Sequence, residues 1–213
     1  DAALFGRMVT SDILARGDAA LHVAHAFTVH AEESESDYFA AVDDLLEEMG
    51  SGHIGSTELT SGLYYGYVVI DVPLLVSNIE GCAQEDWQQA DRTLAGQVIE
   101  RIIKLIATVS PGAKLGSTAP YAYAHTVLVE AGDSQPRTLA NAFLKPVRPR
   151  DDLLRETYEA IQKHIADLDR VYGKSTERQV IGLGDLNSLR DAIGGGDAQN
   201  LETIATWAAA MVK

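Results

Sequence analysis

Four histidines, His22, His25, His30 and His53, lie close in sequence to a dense run of acids between Glu32 and Glu48. Imidazole and carboxylate together form a donor set that holds zinc or another transition metal. A metal-dependent hydrolase or nuclease is the activity such a cluster would serve. The spacing works against it, because residues 22 and 25 of a strand point to opposite faces. Asp43-Asp44 and Glu47-Glu48 offer paired carboxylates for a hydrolase, yet adjacent acids in a charged run usually form a solvated face. No Ser-His-Asp order can be read. Cys82, the only cysteine, has no basic neighbour in sequence to activate it. The residues therefore point away from an enzyme, and neither a metal nor a cofactor is expected.

Two other groups of residues carry binding chemistry. The segment SPGAKLGST (residues 110–118) supplies glycines, hydroxyls and one lysine, Lys114, but lacks the G-x-x-x-x-G-K-[ST] spacing of a nucleoside triphosphate loop. Tyr65 and Tyr67 fall on one strand face. There they would make a stacking platform of the kind an RNA-recognition motif (RRM) uses, or core beneath the helices, and the latter carries more weight. Read alone, Met8 belongs to the core of a first helix, and Phe39 and Val42 to a short amphipathic segment.

The elements that must position these residues are organised around His22 to Val72. Two runs of strand length, HVAHAFTVH (His22 to His30) and LYYGYVVIDV (Leu63 to Val72), are rich in β-branched and aromatic residues and suit neighbouring strands. Between them an acidic, glycine-hinged stretch reads as neither strand nor core. A connection of that length inside a domain is usually functional or disordered. Upstream, Asp1 to Ile13 reads as a short helix and Leu14 to Asp18 as a turn. Downstream, an excursion (Pro73 to Glu85) leads to a helix from Trp87 to Val109 with an apolar stripe of Trp87, Leu94, Val98, Ile102, Leu105 and Val109. Strands are expected over Tyr121 to Glu130 and Arg137 to Val147, then a helix from Asp151 to about Tyr172 whose buried stripe runs Leu154, Tyr158, Ile161, Ile165, Leu168, Tyr172. A short strand (RQVIGLG), a hinge at Gly194 to Gly196 and a closing helix from Leu201 to Met211 complete the chain. This order implies an α+β fold, a ferredoxin-like or RRM-like sheet with a long insertion in one hairpin.

Composition sets the outer limits. The 213 residues, 46% hydrophobic, suffice for one domain plus an insertion. No apolar run approaches the roughly 20 residues that cross a bilayer, and no leader pattern opens the chain. A single cysteine excludes internal disulfides and zinc ribbons and suits a reducing cytoplasm. The net charge of −14 is adverse to a generic nucleic-acid coat, which draws its affinity from Lys and Arg. Net charge does not fix the local field, however. Much of the acidity lies in Glu32 to Glu48 and in the helical segments, whereas Lys114, Arg137, Lys145, Arg148 and Arg150 fall in or beside loops. Because Asp1 stands inside what reads as a helix, the chain is expected to be a fragment whose N-terminal part is missing.

The motifs DAALFGRM, VAHAFTVH, DYFAAVDDL, GSGHIGSTELTSGLYY, TVSPGAKLGSTAPYA and QPRTLANAFLKPV, in that order, resemble the CasC family. CasC is the repeated backbone subunit that binds CRISPR RNA (crRNA) in the type I-E CRISPR complex Cascade. The resemblance runs from Asp1 to about Arg150 and is much weaker over residues 151–213. It implies a right-hand shape: residues 1–13 end the fingers, residues 29–61 form a β-hairpin thumb, and residues 14–28 with 62–213 form an RRM-like palm. It further implies contacts with guide RNA, with further copies of the same subunit, with other Cascade subunits and, through the guide, with target DNA, and none with a membrane. Such a protein reads no sequence, so it needs backbone donors and small hydroxyls for phosphates and apolar wedges for bases. Gly112, Lys114, Ser117 and Thr118 would supply the first, and Met8, Phe39 and Val42 the second.

Overall fold

A computed structural model describes residues 1–8, 17–31, 34–42, 51–110, 119, 121–148, 152–194, 196 and 198–212. Helix α1 (Ala2–Phe5) ends at Gly6, whose φ of 74° is one that glycine adopts freely and other residues rarely. The helix expected to reach Ile13 is therefore broken at Gly6, where Arg7 leaves it to pair with Gly17, and residues 9–13 lie outside the described residues.

Strands β1 (Leu21–Val23) and β2 (Phe27–Thr28) precede a hairpin of β3 (Ser34–Val42) and β4 (Ser51–Thr60), followed by β5 (Tyr64–Tyr65) and β6 (Val68–Ile70). The expected neighbours do pair. Strand β1 runs antiparallel to β6 (Leu21↔Ile70) and β2 antiparallel to β5 (Phe27↔Tyr65), while Ala24 N–H to Tyr67 C=O (2.9 Å) and Val29 N–H to Leu63 C=O (2.9 Å) carry the ladder past the breaks. The intervening stretch contains the long β3–β4 ribbon, in register from Ser34↔Thr60 to Ala41↔His53 with a shift at Val42↔Ser51. Its acidic composition hid strands that Thr57, Ile54, Tyr38 and Phe39 favour.

Helix α2 (Val72–Glu80) occupies what read as an excursion, although its signals are all local. Asp71 caps it by accepting the Leu74 N–H (2.9 Å), Pro73 sits in its first turn, and Gly81 closes it with φ 71°. After a 3₁₀ turn at Gln84–Asp86, α3 (Thr93–Thr108) begins later than expected and buries a different stripe. Ala95, Gly96, Ile99, Ile102, Ile103 and Ala107 face inward, while Leu94, Leu105 and Val109 are exposed. Small residues set this choice: a Cβ on Gly96 would stand 3.2 Å from the Ala209 carbonyl of the closing helix, so α3 presents its thinnest side there.

Strand β7 (Thr126–Ala131) starts after an unpaired segment. The expected strand at Arg137 to Val147 is instead a 3₁₀ turn at Ala140–Phe143, with only Val147 bridging to His30. The cause is Phe143, buried with Phe27 and Tyr65, and the Tyr65 hydroxyl, which accepts the Leu139 N–H (2.9 Å) and bends the run. Helix α4 (Leu153–Tyr172) lies where it was expected, capped by Asp152, except that Tyr172 is exposed. Strand β8 (Glu177–Gly182), α5 (Asn187–Ile193) and α6 (Leu201–Ala210) follow; α5 ends at Gly194 and was not legible beforehand.

Among the described residues every sheet has two strands. The β7–β8 pair is the inner layer. Val127, Val129 and Ile181 pack toward the cluster formed by α2, α3 and α6, and Leu128 and Val180 toward the one formed by α4 and α5. The result is an α+β fold. No helix among the described residues is long and apolar enough to cross a membrane.

Candidate nucleic-acid interface

The N-terminal edge is built around the turn after α1. Arg7 and Gly17 exchange both backbone hydrogen bonds (2.8 and 3.1 Å), and a Cβ on Gly6 would lie 2.6 Å from the Gly17 carbonyl. The Asn78 amide, on α2, donates to the carbonyls of Ala3 (3.0 Å) and Asp18 (2.9 Å), tying both limbs of the turn to the body. Phe5, Arg7 and Met8 stand on this turn, around a shallow open depression shared with Gly17, Asp18 and Ala19. Met8 is 83% exposed and Phe5 62%, so Met8 is not the core residue it resembles when read alone. An exposed aliphatic, an exposed aromatic and a cation on a pinned turn suit contact with bases and phosphates. Phe5 was missed in the sequence because it falls inside a helical pattern.

On the ribbon, Phe39 stands opposite Gly55 and Val42 opposite Ser51, at the register shift. The side chains of Phe39 and Val42 lie outside the described residues. Tyr38, beside Phe39, is 65% exposed. The ribbon's root is held by His30, which is buried: its Nε2 accepts the Leu63 N–H (3.2 Å) while Nδ1 donates to the Ala31 carbonyl (2.7 Å). One neutral tautomer serves both bonds, so His30 works as a strut between backbones rather than as a ligand. His22 and His25 are exposed, the side chain of His53 lies outside the described residues, and no group of three or more His, Cys, Asp or Glu among the described residues is placed to hold a metal.

Gly112, Lys114, Ser117 and Thr118 lie outside the described residues, but both ends of their loop are defined. At its base the Ser110 hydroxyl donates to the Ala122 carbonyl (2.6 Å) and accepts the Ala122 N–H (2.8 Å), and the Ala124 N–H reaches the Ala107 carbonyl (2.8 Å). Tyr65 belongs to the core, its ring 5.4 Å from Phe27 and 5.7 Å from Phe143. Tyr67 is half-buried, and burial, reinforced by Tyr65 and Glu130, raises its phenol above the ordinary value.

Of the basic residues assigned to loops, Lys145 and Arg148 are exposed, whereas Arg137 is occupied internally. It donates to Asp169 (2.9 Å) beside Arg178, a fully buried side chain that grips Asp169 with two bonds of 2.7 Å and Glu130 with one of 2.5 Å. Burial pushes the Glu130 carboxyl up, and Arg137 and the Thr176 hydroxyl oppose the shift.

The chain is similar to proteins of known structure along its whole length. It superimposes on a chain of a "CRISPR RNA-guided surveillance complex, pre-nicking" with a TM-score of 0.82 at 24% identity, covering 100% of itself and 55% of that chain. It superimposes on a chain of a "CRISPR RNA-guided surveillance complex" with a TM-score of 0.79 at 25% identity, covering 98% of itself and 77% of that chain. It thus spans little more than half the length of the first. No curated protein matches. Residues 1–207 match the Cas_CT1975 family, described as CT1975-like protein, and the chain belongs to that family.

Proposed function

We propose that this chain is a non-catalytic, guide-RNA-binding backbone subunit of a CRISPR RNA-guided surveillance complex. The observation that carries this reading is the match of the entire fold to chains of such complexes, within a Cas family. Type I-E is the subtype we favour, on the ordered motifs that resemble CasC. In this reading the paired strands and β7–β8 with their helices are an RRM-like palm, β3–β4 is the thumb, and the turn bearing Phe5 and Met8 is the end of the fingers. Copies stack head to tail along the guide, each thumb crossing it and displacing one base, and the paired stretches between thumbs remain open to target DNA. Sharing one strand among many subunits lets each bind with few cations. The assembly would work in the cytoplasm.

The test is nuclease protection of guide RNA by the assembled protein, with and without divalent metal. Periodic protection without cleavage is expected. Metal-dependent cutting would overturn the reading in favour of a hydrolase using the histidines and acids near the ribbon. Met8→Ala should weaken RNA binding by about 1 kcal/mol and leave the thermal midpoint unchanged, since the side chain is exposed.

A further inference from the structure

Between the loop after α3 and the start of β7 runs a short segment that belongs to no sheet among the described residues, yet its backbone is fixed. Ala122 and Ala124 both send their N–H groups to the end of α3, to the Ser110 hydroxyl (2.8 Å) and the Ala107 carbonyl (2.8 Å). Ala122 also offers its carbonyl to the same hydroxyl (2.6 Å). Alternate residues hydrogen-bonding to one side is the signature of extended chain. Tyr121, whose N–H turns back to the Ala119 carbonyl (2.8 Å), and Tyr123 flank Ala122; two residues apart on such a chain they share a face, and they are 75% and 73% exposed. Among the described residues neither ring stacks on another aromatic.

We propose that Tyr121 and Tyr123 form a base-stacking pair for an unpaired nucleobase of any identity. The inference deepens the guide-RNA reading and rests on it. Side chains two residues apart on an extended chain stand about 6.6 Å apart. Successive stacked bases lie about 3.4 Å apart, so this backbone spacing equals two stacking distances and would let the two rings take one base plane between them. The hydrogen bonds at Ala122 and Ala124 fix the backbone that carries both tyrosines before any ligand arrives, so little backbone ordering is required at binding. The charge balance favours the same conclusion. In a chain with 17 Lys and Arg against 31 Asp and Glu, a neutral π-surface contributes affinity that does not depend on charge.

The experiment compares the full chain with its Tyr121→Leu/Tyr123→Leu and Tyr121→Phe/Tyr123→Phe variants. Binding is read by fluorescence anisotropy on rA20, rU20, dA20 and an abasic 20-mer. The Leu variant keeps apolar area and loses the π-faces. It should bind intact RNA about tenfold more weakly, bind the abasic strand as the unaltered chain does, and show an unchanged salt slope and thermal midpoint. The Phe variant should retain full affinity. A loss confined to dA20 keeps the stacking pair and assigns it to the DNA strand. Equal affinity of the unaltered chain and the Leu variant for every intact strand, dA20 included, overturns the inference alone, and if that variant has instead lost self-association in sedimentation, the pair is a protein contact. An unaltered chain that binds none of the strands overturns the guide-RNA reading as well.

Discussion

Arg178 shows how much one buried charge controls here. Its guanidinium joins β8 to Asp169 on α4 and to Glu130 on β7, and Arg137 closes the group from the following connection. Replacing such a pair with apolar groups is often neutral, but removing one partner strands the others without compensation. Arg178→Met is therefore expected to cost about 3–5 kcal/mol, read as a lowered urea midpoint. Arg155→Met, which removes the exposed pair Arg155–Glu159 (2.9 Å), should cost no more than about 1 kcal/mol. A similar loss for both would show that Arg178 acts through packing, not charge. Sequence did not reveal this role, because Arg137 and Arg178 sit among loop and strand residues and nothing local marks their partners 32 and 9 positions away.

The β3–β4 ribbon draws its support from its own two strands rather than from a wider sheet. It pairs with no third strand among the described residues, and a lone hairpin is marginal in water. In the free chain, amides of β3 and β4 should exchange hydrogen faster than those of α3, and binding of guide RNA or a second copy should slow them. Protection in the free chain equal to that of α3 would contradict this. Other elements were legible to different degrees. Helix α4 could be read because its stripe repeats with helical period and Asp152 caps it. The β1–β6 and β2–β5 pairing could be read from β-branched and aromatic runs. Helix α2 was missed although Asp71, Pro73 and Gly81 mark it, because only nine residues separate those signals. Helix α3 was found but with its face rotated, since contact with α6 is set by Gly96 and Ala209, a tertiary constraint that periodicity does not carry. Of the site, Met8 proved to be exposed, whereas Tyr121 and Tyr123 went unremarked because their alternation looked like a strand.

For the molecule as a whole, the Glu130, Asp169, Arg137 and Arg178 charges cancel internally, so the net charge of −14 belongs to the remaining residues. In the proposed assembly neighbouring copies would repel one another, and salt would screen that repulsion over about 10 Å at 0.1 M. Salt also weakens each phosphate contact. Lys114→Ala in the full chain should lower guide-RNA affinity equally for all sequences and flatten the dependence of log affinity on log salt by about one phosphate contact. A sequence-selective loss in anisotropy titrations would contradict it. The clamp between Ser110 and Ala122 has one further result. It fixes the two ends of the intervening loop independently of what the loop contains, so the closure entropy rises only logarithmically with added residues, by about 0.6 kcal/mol per doubling. Insertions between these two residues are thereby cheap, and the length of the loop can drift over evolutionary time without disturbing either the helix before it or the strand after it.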